Sequence, residues 1–173
     1  RTEQVAEPAP EEAGPEALAP APPGAPGAPE AARQEALATT ARVAIENARI
    51  EGSLALTGGR IDDLLLSDYR QTTAPGSENV RLLNPPGGPN AYFAEFGWVA
   101  GDEGTAVPGR DAVWQASAEE IRPDQPVTLT WDNGQGLRFT RTVAIDENYM
   151  LTVTQGVENT GDEPVTLYPY GLI

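Results

Sequence analysis

The chain has 173 residues and a net charge of −15; all 11 of its basic residues are Arg, and Lys, His and Cys are absent. No disulfide framework or thiolate metal site can form without Cys, and no Ser-His or Cys-His nucleophile without His or Cys. The acidity argues against nucleic acid and anionic lipid, which want clustered cations. No run of about 18 apolar residues is present to span a membrane.

Residues 1–40 read as a disordered, acidic Ala/Pro-rich linker. Between Arg1 and Glu30 nearly every residue is Ala, Pro, Gly or Glu, and the only larger apolar side chains are Val5 and Leu18. Such a segment cannot offset the roughly 1–2 kcal/mol per residue that ordering a backbone costs. The run Pro20-Ala21-Pro22-Pro23 favours extended polyproline II, a semi-stiff spacer. Residues 41–173 read as one β-sandwich domain, large enough for its own core. The chain starts at Arg1 without an initiator Met and stops inside the apolar stretch Val165 to Ile173. A fragment truncated at its C-terminal end, with any signal or anchor outside it, is therefore expected.

Within the domain, short β-type runs alternate with turn residues. Val43, Ile45, Ile50, Leu54 and Leu56 precede Gly58-Gly59; Ile61 to Tyr69 follows. Arg81 to Asn84 is a short strand ended by Pro85-Pro86-Gly87-Gly88-Pro89, and Asn90 to Val99 is aromatic and extended. Val127, Leu129 and Trp131 alternate with polar residues, as do Leu137 to Ile145 and Tyr149 to Val157, and Trp131 is expected in the core. Period-two alternation of this kind means antiparallel sheet with one buried face. Asp132-Asn133-Gly134, Asp146-Glu147-Asn148 and Asn159-Thr160-Gly161-Asp162 predict three successive hairpins, the first on a type I′ Asn-Gly turn. Helix is confined to a turn or two at Ala32 to Thr40 and another at Ser117 to Ile121. The fold class is all-β, an antiparallel β-sandwich.

Candidate chemistry is sparse. Asp62-Asp63, Asp102-Glu103 and Glu119-Glu120 are adjacent pairs, so within a strand they should face opposite ways, and they read as solvated turns and edges rather than an acid–base pair. The acidic stretch Glu158 to Glu163 lacks the spacing of a calcium loop. Gly58-Gly59-Arg60 and Gly87-Gly88-Pro89 are followed by neither Lys nor a helix, so they are not phosphate loops. No catalytic residue, metal site or cofactor is expected. Tyr92, Phe96 and Trp98 share one face of a strand with Ala94, either as sheet core or as a binding face that stacks sugar rings or apolar peptide. Arg141, the one charge on an apolar strand face, is expected at the sheet margin, snorkelling or paired with a carboxylate.

Several blocks, read in order, resemble the large periplasmic domain of the YidC membrane protein insertase family, in its alphaproteobacterial form. They are Gly58-Gly59-Arg60-Ile61-Asp62-Asp63-Leu64, Asn90 to Trp98, Phe139 to Ile145, Tyr149 to Val153 and Val157 to Val165. The resemblance covers Arg42 to Ile173. It implies a supersandwich similar to sugar-binding mutarotases, but not their activity, which uses His. It further implies a periplasmic place in a multi-pass inner-membrane protein that acts as insertase and chaperone. The implied partners are the Sec translocon and nascent membrane proteins. None of the family's functional residues falls on this sequence. The competing readings are a carbohydrate- or peptide-binding module and a plain spacer domain.

Overall fold

The computed structural model describes residues 28–173, so the spacer expected over residues 1–27 lies outside the described residues. Composition assigns positions up to 40 to the linker; residues Ala28–Leu37 instead form a helix, α1. Ala, Glu, Arg, Gln and Leu are all good helix formers, and Pro29 sits in the first turn where a missing N–H costs nothing.

Eleven strands follow: β1 Arg42–Glu46, β2 Ile50–Ala55, β3 Ile61–Arg70, β4 Asn79–Leu83, β5 Glu95–Ala100, β6 Gln115–Ala116, β7 Glu120–Ile121, β8 Val127–Asp132, β9 Leu137–Ile145, β10 Leu151–Asn159 and β11 Leu167–Leu172. They make a five-stranded sheet, β4-β3-β2-β1-β7, a four-stranded sheet, β10-β9-β8-β6, and a two-stranded ribbon, β11-β5. Val43, Ile45, Leu54, Ile61 and Leu64 of the first sheet meet Val127, Leu129, Phe139, Val143 and Ile145 of the second, all buried. Burying each such side chain stabilises by roughly 1.5–3 kcal/mol. On the opposite, outward face of the second sheet, Thr128 pairs with Thr142 and Thr130 with Thr140, and the Thr128 and Thr142 hydroxyls hydrogen-bond at 2.8 Å.

Four local expectations are corrected. The β8–β9 connection is a four-residue loop, Asn133 to Gly136, with positive φ at Gly134 and Gly136 but not at Asn133. The Asn133 side chain instead accepts from the amides of Gln135 and Leu137, so a side-chain turn replaces the two-residue one. Residues Ser117 to Ile121 hold no helix: β7 runs parallel to β1, with Ile121 opposite Ile45. The third hairpin is absent, because β11 leaves the meander to pair with β5. There the Tyr170 ring lies over Gly97, where an added Cβ would come within 2.7 Å of it. Finally, Trp131 is half-buried, 5.7 Å from Phe139, and its outer side lines a surface groove of about 520 Å³.

The Asp62-Asp63 pair also departs from expectation. Ser53 pairs with Asp63 and Leu54 with Ile61, so Asp62 is the extra residue of a β-bulge. The bulge shifts the strand's phase, which is why Ile61 and Leu64 both face the core. Both carboxylates consequently join one polar ladder instead of pointing apart. Arg33 contacts Asp63, Ser53 donates to Asp63, Arg42 donates to Ser53, and Arg42 contacts Asp62. Asp62 is only 2% exposed, far from a solvated edge. Of the other pairs, Asp102 closes a surface turn on Thr105, and Glu120 pairs with Arg122 at 2.7 Å.

Two predictions come from this packing. Trp114 is 1% exposed and stacks on Trp98, so Trp114→Ala should cost about 3–5 kcal/mol in urea melts, and the half-buried Trp131→Ala clearly less. Equal costs would mean that the groove beside Trp131 closes in solution. For Asp62, burial pushes the carboxyl above its ordinary range against the pull of Arg42. An acid raised in the folded state favours folding below its unfolded pKa and loses that contribution as the pH climbs through the folded value. Relative to Asp62→Asn, the natural chain should therefore lose stability as pH rises from about 4 toward neutral. A relative gain over that window would show that Arg42 outweighs burial.

Candidate functional site

The candidate site lies where the ends of β3, β4, β5 and β10 leave the two layers open. Antiparallel β5 is short and flanked by the extended run 90–94. That run touches β3 through the Ile61–Ala94 bridge and the segment after β4 through the Asn84–Tyr92 bridge. These contacts bring the aromatic block to the rim of a cavity of about 300 Å³. It is lined by Ile61 and Leu64 of β3, Leu82 and Leu83 of β4, Tyr92, Ala94 and Phe96, Leu151 and Val153 of β10, and Ile173. The walls are hydrocarbon and aromatic, and the cavity can hold an apolar side chain.

The three aromatics sit at graded depth. Tyr92 is 52% exposed, Phe96 is half-buried, and Trp98 is only 6% exposed. Tyr92 and Phe96 line the cavity; Trp98 does not. It packs edge-on against Phe139 at 5.0 Å and stacks on Trp114 at 6.3 Å. The three therefore do not form one stacking platform.

Behind Phe96 stands the residue that sequence reasoning placed wrongly. Arg141 is 1% exposed, at the centre of the core rather than at a sheet margin. Its guanidinium donates to the carbonyls of Gly59 and Phe96, each at 2.6 Å, and more weakly to that of Gly58 at 3.4 Å. Its Cζ lies 4.7 Å from the Trp114 ring centre and 5.8 Å from that of Phe96. Burial pulls its pKa down to about 10, with Tyr170 and Glu95 pushing the other way, so it keeps its charge at neutral pH. Gly59 has φ of 61°, and an added Cβ would sit 2.4 Å from the guanidinium. Nothing in period-two alternation announces such a residue; the signal available was an Arg on an otherwise apolar face together with a Gly-Gly turn.

On the other face of β5, Glu95 is buried beneath β11, accepts from the Tyr170 hydroxyl at 3.2 Å and lies 3.3 Å from Arg110. Burial raises the Tyr170 phenol. Glu95 and Tyr170 hold β11 on β5. Among the described residues no cluster of three His, Cys, Asp or Glu could hold a metal ion. No described helix is long and apolar enough to cross a membrane.

The family model described as the YidC periplasmic domain matches residues 42–173. A protein named membrane protein insertase YidC from Methylobacterium sp. (strain 4-46) is 49% identical over 172 residues, 97% of this chain and 27% of its own length. Those of Methylorubrum extorquens (strain PA1) and Granulibacter bethesdensis are 47% and 49% identical over 98% and 77% of this chain. They are covered over 27% and 23% of their lengths, so the chain spans about a quarter of the relatives it matches.

Arg141 generates a sharp expectation. Arg141→Met removes the donor and leaves the Gly59 and Phe96 carbonyls buried without it, which should cost about 3 kcal/mol or more. Arg141→Lys keeps the charge but cannot reach both carbonyls in one plane, and should recover little of that loss. Urea midpoints would decide it. Full recovery by Lys would show that charge alone, rather than the fork of donors, is what the core requires.

Proposed function

The chain belongs to the YidC periplasmic domain family, and on that footing we propose that it is the periplasmic accessory portion of a multi-pass inner-membrane insertase. Its work is binding. It aids insertion and folding of membrane proteins, alone or beside the Sec translocon, by offering a rigid β-scaffold to nascent membrane segments and translocon subunits. The family is one of insertases rather than enzymes of covalent chemistry. The observation that carries the reading is the match over residues 42–173 together with 46–50% identity to insertases. The apolar cavity at Tyr92 and Phe96 supports a binding role, since it offers shape without nucleophile or metal ligand.

One observation favours a second reading, a carbohydrate-binding module. Beside half-buried Trp131 the surface groove carries Gln115, Asp132 and Arg138, an indole ringed by hydrogen-bonding groups. The expected platform of Tyr92, Phe96 and Trp98 supports that reading less, because Trp98 is enclosed.

A photocrosslinking residue placed at Tyr92 of the full-length protein in living cells tests the proposal. Adducts identified as newly made membrane proteins or Sec subunits are expected, and none from the same probe at Gln135 on the distant β8–β9 loop. Equal adducts at both positions, or none at either, would overturn it. Saccharide-dependent shifts of the Trp131 indole signal would favour the second reading instead.

A further inference from the structure

We propose that α1 is a detachable strap, latched to the five-stranded sheet by the Arg33–Asp63 ion pair and able to leave without unfolding the sandwich. Only Arg33 of its ten residues is buried, at 4% exposure. No apolar side chain of α1 belongs to the core or packs against it; Leu37 is half-buried outside it. Two cavities, of about 490 and 270 Å³, are both lined by Arg33 where the helix meets the sheet. Both open to solvent, so the helix is flanked by clefts rather than sealed onto the sheet by close packing.

The second ion pair is weak, and the helix backbone passes Gly88 in ordinary contact only. Glu30 lies 3.4 Å from Arg81, with the two side chains 48% and 31% exposed, the kind of pair that contributes little. Arg33 meanwhile leaves its Nε buried without a partner, and release would return that group to water. Asp63 keeps the Ser53 hydroxyl when Arg33 departs, and Arg42 stays on Asp62, so the bulge of β3 remains satisfied. An isolated helix shorter than about 12–15 residues is marginal in water, so release also melts α1. The segment preceding the sandwich then gains ten residues of free chain, a reach of about 3.3 Å for each. Docking and release of α1 thus set how far the sandwich stands from whatever precedes it.

Hydrogen exchange on the chain from Arg1 to Ile173 tests this. Amides at the end of α1, such as Ala38 bonded to Gln34, should exchange at least about 100-fold faster than those of β9. Arg33→Gln should speed α1 about a further tenfold and leave β9 unchanged; Ala36→Gly, which weakens the helix without touching the ion pair, should do the same. Because the chain has no native cysteine, spin labels at Ala32→Cys and Thr72→Cys report docking directly. Their distance distribution should broaden when Arg33→Gln is added. Exchange of α1 at the β9 rate, or β9 exchange accelerated equally by either substitution, would make α1 an integral part of the sandwich and overturn the proposal. So would unchanged α1 protection in Arg33→Gln.

Discussion

The fold depends on one cation in its middle. A desolvated guanidinium costs several kcal/mol unless its donors are matched, and among the described residues Arg141 has no carboxylate in ion-pair reach. It is matched instead by backbone carbonyls at Gly59 and Phe96 and by the faces of Trp114, Phe96 and Trp98. This arrangement works only if all the partners stay in place. The turn after β2, the strand β5 and the strand β9 are thereby fixed to one another across the two layers. The Gly58-Gly59 turn, the aromatic run 90–98 and the run 139–145 are far apart in sequence and meet at this single group. They are also three of the blocks on which the family resemblance rests.

How much of this was legible depends on whether the cue was local. The strands β8 and β9 were readable because each buries one face, which writes period two directly into Val127, Leu129, Phe139 and Val143, and β10 repeats it with Leu151 and Val153 half-buried. Which strand pairs with which was not. Period two says that Leu167 to Leu172 is extended, yet it is equally satisfied beside β10 or beside β5. The choice is made by the fit of the Tyr170 ring over Gly97 and by Glu95 below it, contacts that no local pattern encodes. Similarly, Asp62 and Asp63 read as alternating only if the strand is regular. One inserted residue puts both on the polar ladder, and the sequence there carries no mark of it beyond Gly52, whose added Cβ would clash with the Asp63 carbonyl at 1.9 Å.

The aromatic block shows the same limit at the candidate site. Periodicity places Tyr92, Phe96 and Trp98 in alternation, but how deeply each is buried is decided by what lies opposite. Trp98 packs on Trp114 and Phe139, whereas Tyr92 is half exposed. The run 92–98 is therefore surface at its start and core at its end.

Arg141 and Arg33 are the same side chain in opposite circumstances, and the contrast sets where the molecule is rigid. Both are nearly buried, and each leaves its Nε without a partner. Arg141 compensates with carbonyls from two separate elements and three aromatic rings, so moving it would break contacts across both layers at once. Arg33 has one partly buried carboxylate, one exposed one, and solvent-open clefts on its flanks. The free energy needed to displace a buried cation grows with the number of partners it abandons and falls with the hydration it regains. By that criterion rigidity concentrates around β5 and β9, where Phe96 and its cavity are held in shape. Compliance concentrates at α1, which carries none of the core. A fixed apolar recess and a lightly attached helix follow from where these two arginines find their partners.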